Sequence, residues 1–468
     1  MSLARFMISA NDDVSLAAEG RRSRAADVAL VAAVVVAGSV SRHAVYTGYG
    51  VTILVGCVAL LAAAVWRGVG TAGPSRAGVL VALAGAVFAQ VIKPPYMNVE
   101  GGTWLLRAGV WVCLATTVLA AALLLQAVGA APRRRMAVAG VGLAGVLAGY
   151  LLVARGSTRP LIDVWAILQG ASLGVVHGQN PYDMVFAGVP RGQVNDAFNY
   201  LPATFLLPVP SRLVLGDVRY AEAAVLAGGV AALLCWAVRS ARWPSPAPAL
   251  ALLVGVLPGA LYAVQQAWNE TILAGALVAA AVLLAARRAG WAAVCLAAAL
   301  ATKQHVVLLL PLWACWPAFG WRRATAALAG AAAITLPWAL ADVDRFRYGV
   351  LDFFVDLPAR PDSLSVWHLL PAPLRTVTLL ALTAGAYALV LRRTPRTPGG
   401  LLLGSGLVLA AFDLANKQTF LNQWLLAAQL VVAGLALAAS KARGTPLSTG
   451  NAAVHRSSPA LAQHPRHP

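Results

Sequence analysis

The chain has 468 residues, 60% of them hydrophobic and only 11% charged, with a formal net charge of +19. Apolar runs of roughly 18 residues or more recur throughout, which excludes a soluble globular domain and predicts an all-α polytopic membrane protein. The basic balance does not point to nucleic acid, because no basic stripe with interleaved aromatics occurs; Lys and Arg collecting in cytoplasmic loops account for it. Cys57, Cys113, Cys235, Cys295 and Cys315 all lie inside apolar runs, without a Cys-x-x-Cys or Cys/His cluster. That pattern supports neither a disulfide framework nor a metal site.

In chain order, residues 1–25 are polar, carry Arg21, Arg22 and Arg24, and read as a cytoplasmic N-terminus before a retained first span. Fourteen spans follow, at about 26–42, 50–66, 77–93, 104–130, 136–154, 219–238, 248–265, 269–287, 290–302, 305–319, 324–341, 374–391, 399–415 and 420–439. Residues 26–130 hold few polar groups and read as an added four-helix membrane bundle. From 136 to 440 short spans alternate with polar outer loops at 155–218, 342–373 and around 416–419. The tail 444–468, rich in Pro, Ser and His, reads as disordered and cytoplasmic. Heavy Ala, Gly, Val and Arg usage is that of a high-GC bacterium.

The segment 200–216 contains Pro202, Pro208 and Pro210 and decides the topology. Treated as a surface helix, it places Arg133–Arg135, Arg239/Arg242, Arg287/Arg288, Arg322/Arg323 and Arg392/Arg393/Arg396 all inside. On that arrangement 22 of the 36 Lys and Arg are cytoplasmic, as the positive-inside bias requires. Asp163 then faces out.

Residues 162–177 can form a turn-rich surface helix. Asp163, Ile167, Gly170, Gly174 and His177 share one face, narrow enough after Asp163 for another helix or a lipid chain to approach. Val164, Trp165, Leu168, Leu173 and Val176 suit the membrane interface. Gly178-Gln179-Asn180-Pro181-Tyr182 ends the helix in a turn. Spacing alone leaves two roles open for Asp163, a helix-start dipole partner or a base. Other polar groups gather on the same side: Gln265-Gln266, Asn269-Glu270, Lys303-Gln304-His305, Asn416-Lys417-Gln418, Asn422-Gln423, and the loop with Asp342, Arg345, Ser363 and His368. Polar side chains near membrane depth line cavities.

The run from Asp163 through Asn180-Pro181-Tyr182 to Phe198-Asn199-Tyr200-Leu201-Pro202 resembles the first outer loop of polyprenyl-phosphate-sugar-dependent glycosyltransferases of the GT-C fold. The nearest match is glycosyltransferase family 87, the mannosyltransferase type of actinobacterial envelopes. Gln266 with Asn269, Lys303, Ser363-Leu364 and Lys417-Gln418 extend the resemblance over about 136–440. Two positions depart from the pattern: Leu201 replaces a proline, and Gln304 stands where the family commonly has one. The resemblance implies a GT-C-like bundle with two surface helices in the first loop and Asp163 as general base. The donor would be a polyprenyl-phosphate-linked sugar, mannose favoured, and the acceptor a glycolipid or glycan at the outer face of the cell membrane. Lys303, then Lys417 and Arg345, are the candidates for the donor phosphate. Tyr182, Tyr200, Gln266, Asn269, Glu270, His305, His368 and Gln418 are candidate substrate contacts. No cofactor is implied beyond the lipid-linked donor, and a metal requirement stays open. The alternatives are a lipid-linked-sugar transporter or flippase, for which Arg107, Glu222 and Asp413 are the intramembrane candidates, and a non-catalytic polyprenyl-lipid-binding envelope protein.

Overall fold

The computed structural model describes residues 3–42, 46–92, 99–127, 129–189, 196–241 and 243–440. The tail read as disordered, with His455, His464 and His467, lies outside them. Among the described residues, nine helices are long and apolar enough to cross a membrane. They are α1 (Leu3–Arg42, apolar from Gly20), α2 (Gly48–Trp66), α4 (Trp104–Gln126), α5 (Pro132–Gly156), α9 (Arg219–Ser240), α15 (Trp321–Ala341), α18 (Ala372–Arg393), α19 (Pro398–Ala415) and α20 (Leu421–Ala439). The other five predicted spans correspond to shorter elements: α3 (Arg76–Ile92), the pair α10 (Ala247–Val256) and α11 (Ala260–Gln265), α12 (Glu270–Ala285), α13 (Ala289–Leu300), and a 3-10 turn Gln304–Leu309 running into α14 (Leu310–Ala314). The protein is an all-α, multi-pass membrane protein. Among the described residues a two-stranded ladder, β1 (Val99–Gly102) antiparallel to β2 (Ser157–Pro160), pins the start of α4 to the end of α5.

Starts and crossings follow from local chemistry. Thr47 and Thr397 accept backbone N–H groups of Gly50 and Gly400 at 3.2 and 3.1 Å, and Pro132 and Pro398 stand where a helix has no use for an N–H. At the α9–α12 and α19–α20 crossings the backbones touch through Gly229 with Gly275 and Gly399 with Gly434, the close approach that small residues permit in a bilayer.

The expected continuous span 248–265 is broken. Pro258 and the left-handed Gly259 (φ +95°) follow the end of α10 within the buried core, which frees carbonyls away from water. Three distant side chains satisfy them: Gln429 Nε2 donates to Val254 O at 3.3 Å, the Tyr150 hydroxyl to Gly255 O at 2.5 Å, and Gln90 Nε2 to Val256 O at 2.9 Å. Gln90 belongs to α3, so the first helices are built into the core. In keeping with that, α1 packs on α20 as well as on α2 and α3, and α4 packs on α5 and α10.

Between α5 and α9 the chain forms α6 (Asp163–Val176), α7 (Ala203–Leu206) and α8 (Val209–Leu215); between α15 and α18 it forms α16 (Val343–Arg347), a π turn (Tyr348–Asp352) and α17 (Phe353–Asp356). Segment 200–216 is thus two short helices, neither of them spanning. The arginines Arg133–Arg135 begin α5, whose far end leads to Asp163; the arginine-rich end and the Asp163 end are opposite ends of the bundle.

Candidate active site

Helix α6 starts at Asp163 itself, with extended Ile162 at the N-cap, and Asp163 Oδ1 accepts the Val164 N–H at 2.8 Å. The first-turn role is therefore real. It does not exhaust the carboxylate, whose pKa is raised above the ordinary value chiefly by burial, while the Val164 backbone and the Arg360 charge pull it back down. The expected open face of α6 is closed by its own loop: a Cβ on Gly170 would strike the Phe186 ring, and one on Gly174 the Met184 sulfur. Leu168, Ile167 and Ala171 are buried and the Ser172 hydroxyl donates to Phe205 O at 3.0 Å. Of the positions assigned to the membrane interface, Val176 is the exposed one. Trp165 instead donates from Nε1 to Asp217 at 3.4 Å, and buried Arg219 clamps Asp217 and the Gln265 carbonyl. Helix α6 is held by protein on both sides, so Asp163 is fixed in place.

The Tyr182 side chain is engaged within the loop. Its hydroxyl donates to Tyr200 O at 2.8 Å and its ring packs edge-on against Phe198, Phe205 and Phe346. Tyr200 lies beside Lys303. Lys303 Nζ stands 5.6 Å from its ring centre, and burial together with the charges of Asp163, Glu270 and Glu222 holds its phenol far above the ordinary pKa. It is a protonated donor between the carboxylate of α6 and the cation beyond α13.

Lys303 follows the short helix α13 and is mostly buried. Its Nζ lies 2.5 Å from Glu270 Oε1, which also accepts from Asn422 Nδ2 at 2.9 Å. The left-handed residue Ala267 (φ +55°) turns the chain from α11 so that Asn269 and Glu270 begin α12 at this point. Asn269 is 1% exposed, its side chain does not cap the helix, and both of its amide atoms lack a partner, as do Glu270 Oε2 and His305 Nε2. Four unpartnered polar atoms beside a buried ion pair are costly unless water or a bound ligand supplies their bonds. Gln266 lies alongside, donating to Gln265 Oε1 at 3.0 Å.

No family model, curated protein or solved structure matches this chain.

Both departures from the glycosyltransferase pattern lie at the seam between the first loop and Lys303. The Leu201 N–H donates to Thr302 O at 3.1 Å, and Gln304 Nε2 donates to Asn199 O and Val350 O, each at 3.1 Å. A proline at 201 has no N–H to give. Leu201→Pro is expected to lower the unfolding free energy by about 1 kcal/mol, read as a fall in the thermal midpoint in detergent; an unchanged midpoint means the seam is held elsewhere.

Four candidates are engaged by other partners. Lys417 Nζ donates to Val355 O and Leu357 O at 3.0 and 2.8 Å, and Gln418 Nε2 to Pro358 O at 2.8 Å; both staple the second loop to α20. Arg345 pairs at 3.6 Å with Asp183, both more than half exposed. His368 Nε2 lies 2.5 Å from Arg360 O, and since a carbonyl only accepts, His368 donates and holds the Arg360 backbone. Ser363, also part of the resemblance, accepts the Thr419 N–H at 2.8 Å and docks this loop.

Arg360 is the residue the sequence reading missed. It makes a two-point contact with Asp362 (3.0 and 2.6 Å), stacks 4.7 Å from the Phe420 ring centre, and is the cation acting on Asp163. Its signal in the sequence was the Arg-Pro-Asp triplet directly before Ser363, which reads as an ordinary charged turn.

Proposed function

We propose that this protein is a membrane glycosyltransferase of the GT-C type, moving a hexose, mannose favoured, from a polyprenyl-phosphate donor to an envelope glycolipid or glycan at the outer face of the cell membrane. The observation that carries this reading is the grouping of a held, partly buried carboxylate, Asp163, with Arg360 and with Tyr200, Lys303 and Glu270. The nine long helices and five short ones at the expected positions are consistent with a GT-C-like bundle of about fourteen spans. In the reaction Asp163 accepts the proton of the acceptor hydroxyl. That oxygen bonds to the anomeric carbon as the bond from the carbon to the phosphate oxygen breaks, and polyprenyl phosphate leaves with the electron pair. A base on the face opposite the leaving group inverts the anomeric centre. Arg360 spends Nε and Nη2 on Asp362, and its Nη1 remains available to the phosphate, where a fixed guanidinium stabilises developing charge. Lys303 adds charge from the Glu270 side, and Asn269, His305 and Asn422 suit sugar hydroxyls.

A base must be ionised, and Asp163 is raised, so the rate falls on acidification through a limb above the ordinary carboxylate range of about 4. Arg360→Gln removes a charge that lowers this pKa and is expected to move the limb of kcat/KM to higher pH. A limb that stays put separates Arg360 from Asp163. The function itself is tested by mass spectrometry of envelope glycolipids and glycans from a strain lacking the protein. A missing hexose restored by the wild-type gene is expected; an unchanged profile sinks the proposal.

One observation favours a transporter as second reading. Glu222 and Asp413 are buried in α9 and α19, and intramembrane carboxylates mark ion pathways. Movement of a labelled lipid-linked sugar across proteoliposomes without transfer to an acceptor would select it.

A further inference from the structure

The end of the bundle opposite Asp163 carries a site independent of that chemistry. Here α2 ends at Trp66, followed by Arg67, and α18 ends at Arg392 and Arg393. The α2–α3 turn backs onto the α18–α19 turn, with Gly70 against the Pro395 ring. The Arg393 guanidinium carbon lies 4.0 Å from the Trp66 ring centre, and that of Arg396 lies 4.9 Å from Trp316. Trp316 is fully buried with its Nε1–H on Thr397 O at 3.0 Å, while Arg396 Nη2 donates to Leu391 O at 2.5 Å. Arg396 is therefore tied into the turn and stiffens it. Arg67, Arg392 and Arg393 are exposed; no Asp or Glu occurs in residues 63–75, 388–400 or 312–324, and Asp27 of α1, which reaches this end, accepts the Ser75 N–H at 2.7 Å.

An arginine stacked on an indole loses little freedom and keeps its donor edge for a two-point contact with a phosphate. The surroundings select the kind of phosphate. Trp66 is 60% exposed and Val55, on the same face of α2, is exposed as well, so the cations sit where apolar helix surface gives way to polar turns. That is the level of a headgroup, with tryptophan at the interface and basic residues between helix ends. We propose that this rim binds an anionic glycerophospholipid, its phosphate held by Arg393 and Arg392 with Arg67 beside them, and its upper acyl carbons along Trp66. A soluble anion would gain nothing from the apolar flank.

The test uses the delipidated full-length protein in detergent, titrated with short-chain phosphatidylglycerol or phosphatidylcholine and read by native mass spectrometry. Phosphatidylglycerol is expected to bind at least about fivefold more tightly. Each of Arg392→Gln and Arg393→Gln should weaken it about fivefold, the effect of one basic residue at a charged interface. Arg287→Gln with Arg288→Gln, at the same end of the bundle, should leave it unchanged. Equal affinity for the two lipids, or an equal loss in the Arg287/Arg288 variant, overturns the site in favour of general surface charge. Displacement of the lipid by an equal concentration of inorganic phosphate overturns the lipid assignment. Should the glutamine variants fail to fold, Arg393→Lys keeps the charge and removes the two-point contact; a drop in phosphatidylglycerol affinity is expected, and unchanged affinity overturns the proposal.

Discussion

Asp163→Asn is expected to abolish sugar transfer while leaving the protein folded and slightly more stable. The loss follows from the base: an amide cannot take the acceptor proton, and a positioned general base contributes about 10²–10⁴ in rate. Folding survives because Asn Oδ1 can accept the Val164 N–H as the carboxylate does. The gain in stability follows from the direction of the pKa shift. A carboxyl raised on folding adds stability below its unfolded pKa, and that stability is lost as pH rises through the folded value. Once ionised, the partly buried Asp163 is thus a burden that asparagine removes. A residue whose replacement raises the thermal midpoint and stops turnover is held for function at the expense of stability. The measurement is the initial rate of transfer of labelled sugar from polyprenyl-phosphate mannose in proteoliposomes, beside thermal unfolding in detergent. Retained turnover in Asp163→Asn would end the catalytic assignment, and a fall in both rate and midpoint would reduce Asp163 to a helix-start residue.

The long apolar runs were legible because length and composition alone specify a helix that crosses a bilayer. The break at Pro258-Gly259 was not read, although a Pro-Gly pair is a strong local signal. What makes the break tolerable lies far away in the chain: Gln90, Tyr150 and Gln429 supply the donors for the three freed carbonyls. The same asymmetry governs the site. Asp163, Tyr200 and Lys303 stand out in the sequence because they occupy motif positions, the first two in the long outer loop and Lys303 at the end of a short predicted span. Lys417 and Gln418 occupy such positions too, yet the carbonyls of Val355, Leu357 and Pro358 claim them. A cation in a sequence does not reveal which acceptors the fold will bring to it. Arg360 was missed for the converse reason, since its approach to Asp163 depends on the docking of residues 363–366 against α19 and α20, through Leu364 N–H on Thr419 O at 2.7 Å and Val366 N–H on Leu414 O at 2.8 Å.

The Lys303–Glu270 pair separates structure from function through a double-mutant cycle. Lys303→Met leaves Glu270, 1% exposed, without its ammonium partner while keeping the Asn422 hydrogen bond, and removing one partner of a buried pair costs roughly 3–5 kcal/mol. Glu270→Gln leaves the ammonium less well compensated and should cost less, because the Lys303 side chain is more exposed, at 13% against 1%. The double variant Lys303→Met/Glu270→Gln removes both charges and is expected to recover most of the stability, since replacing a whole buried pair by neutral groups of similar volume is often close to neutral. Activity should follow a different course. If Lys303 stabilises the departing phosphate, the double variant folds but does not recover turnover, and its defect appears with the lipid-linked donor more than with the acceptor. Under a purely structural role, rate and stability return together. Thermal unfolding and donor kinetics on the same four proteins distinguish the two, and recovery of both would confine Lys303 to holding α12 and α20 against the turn after α13.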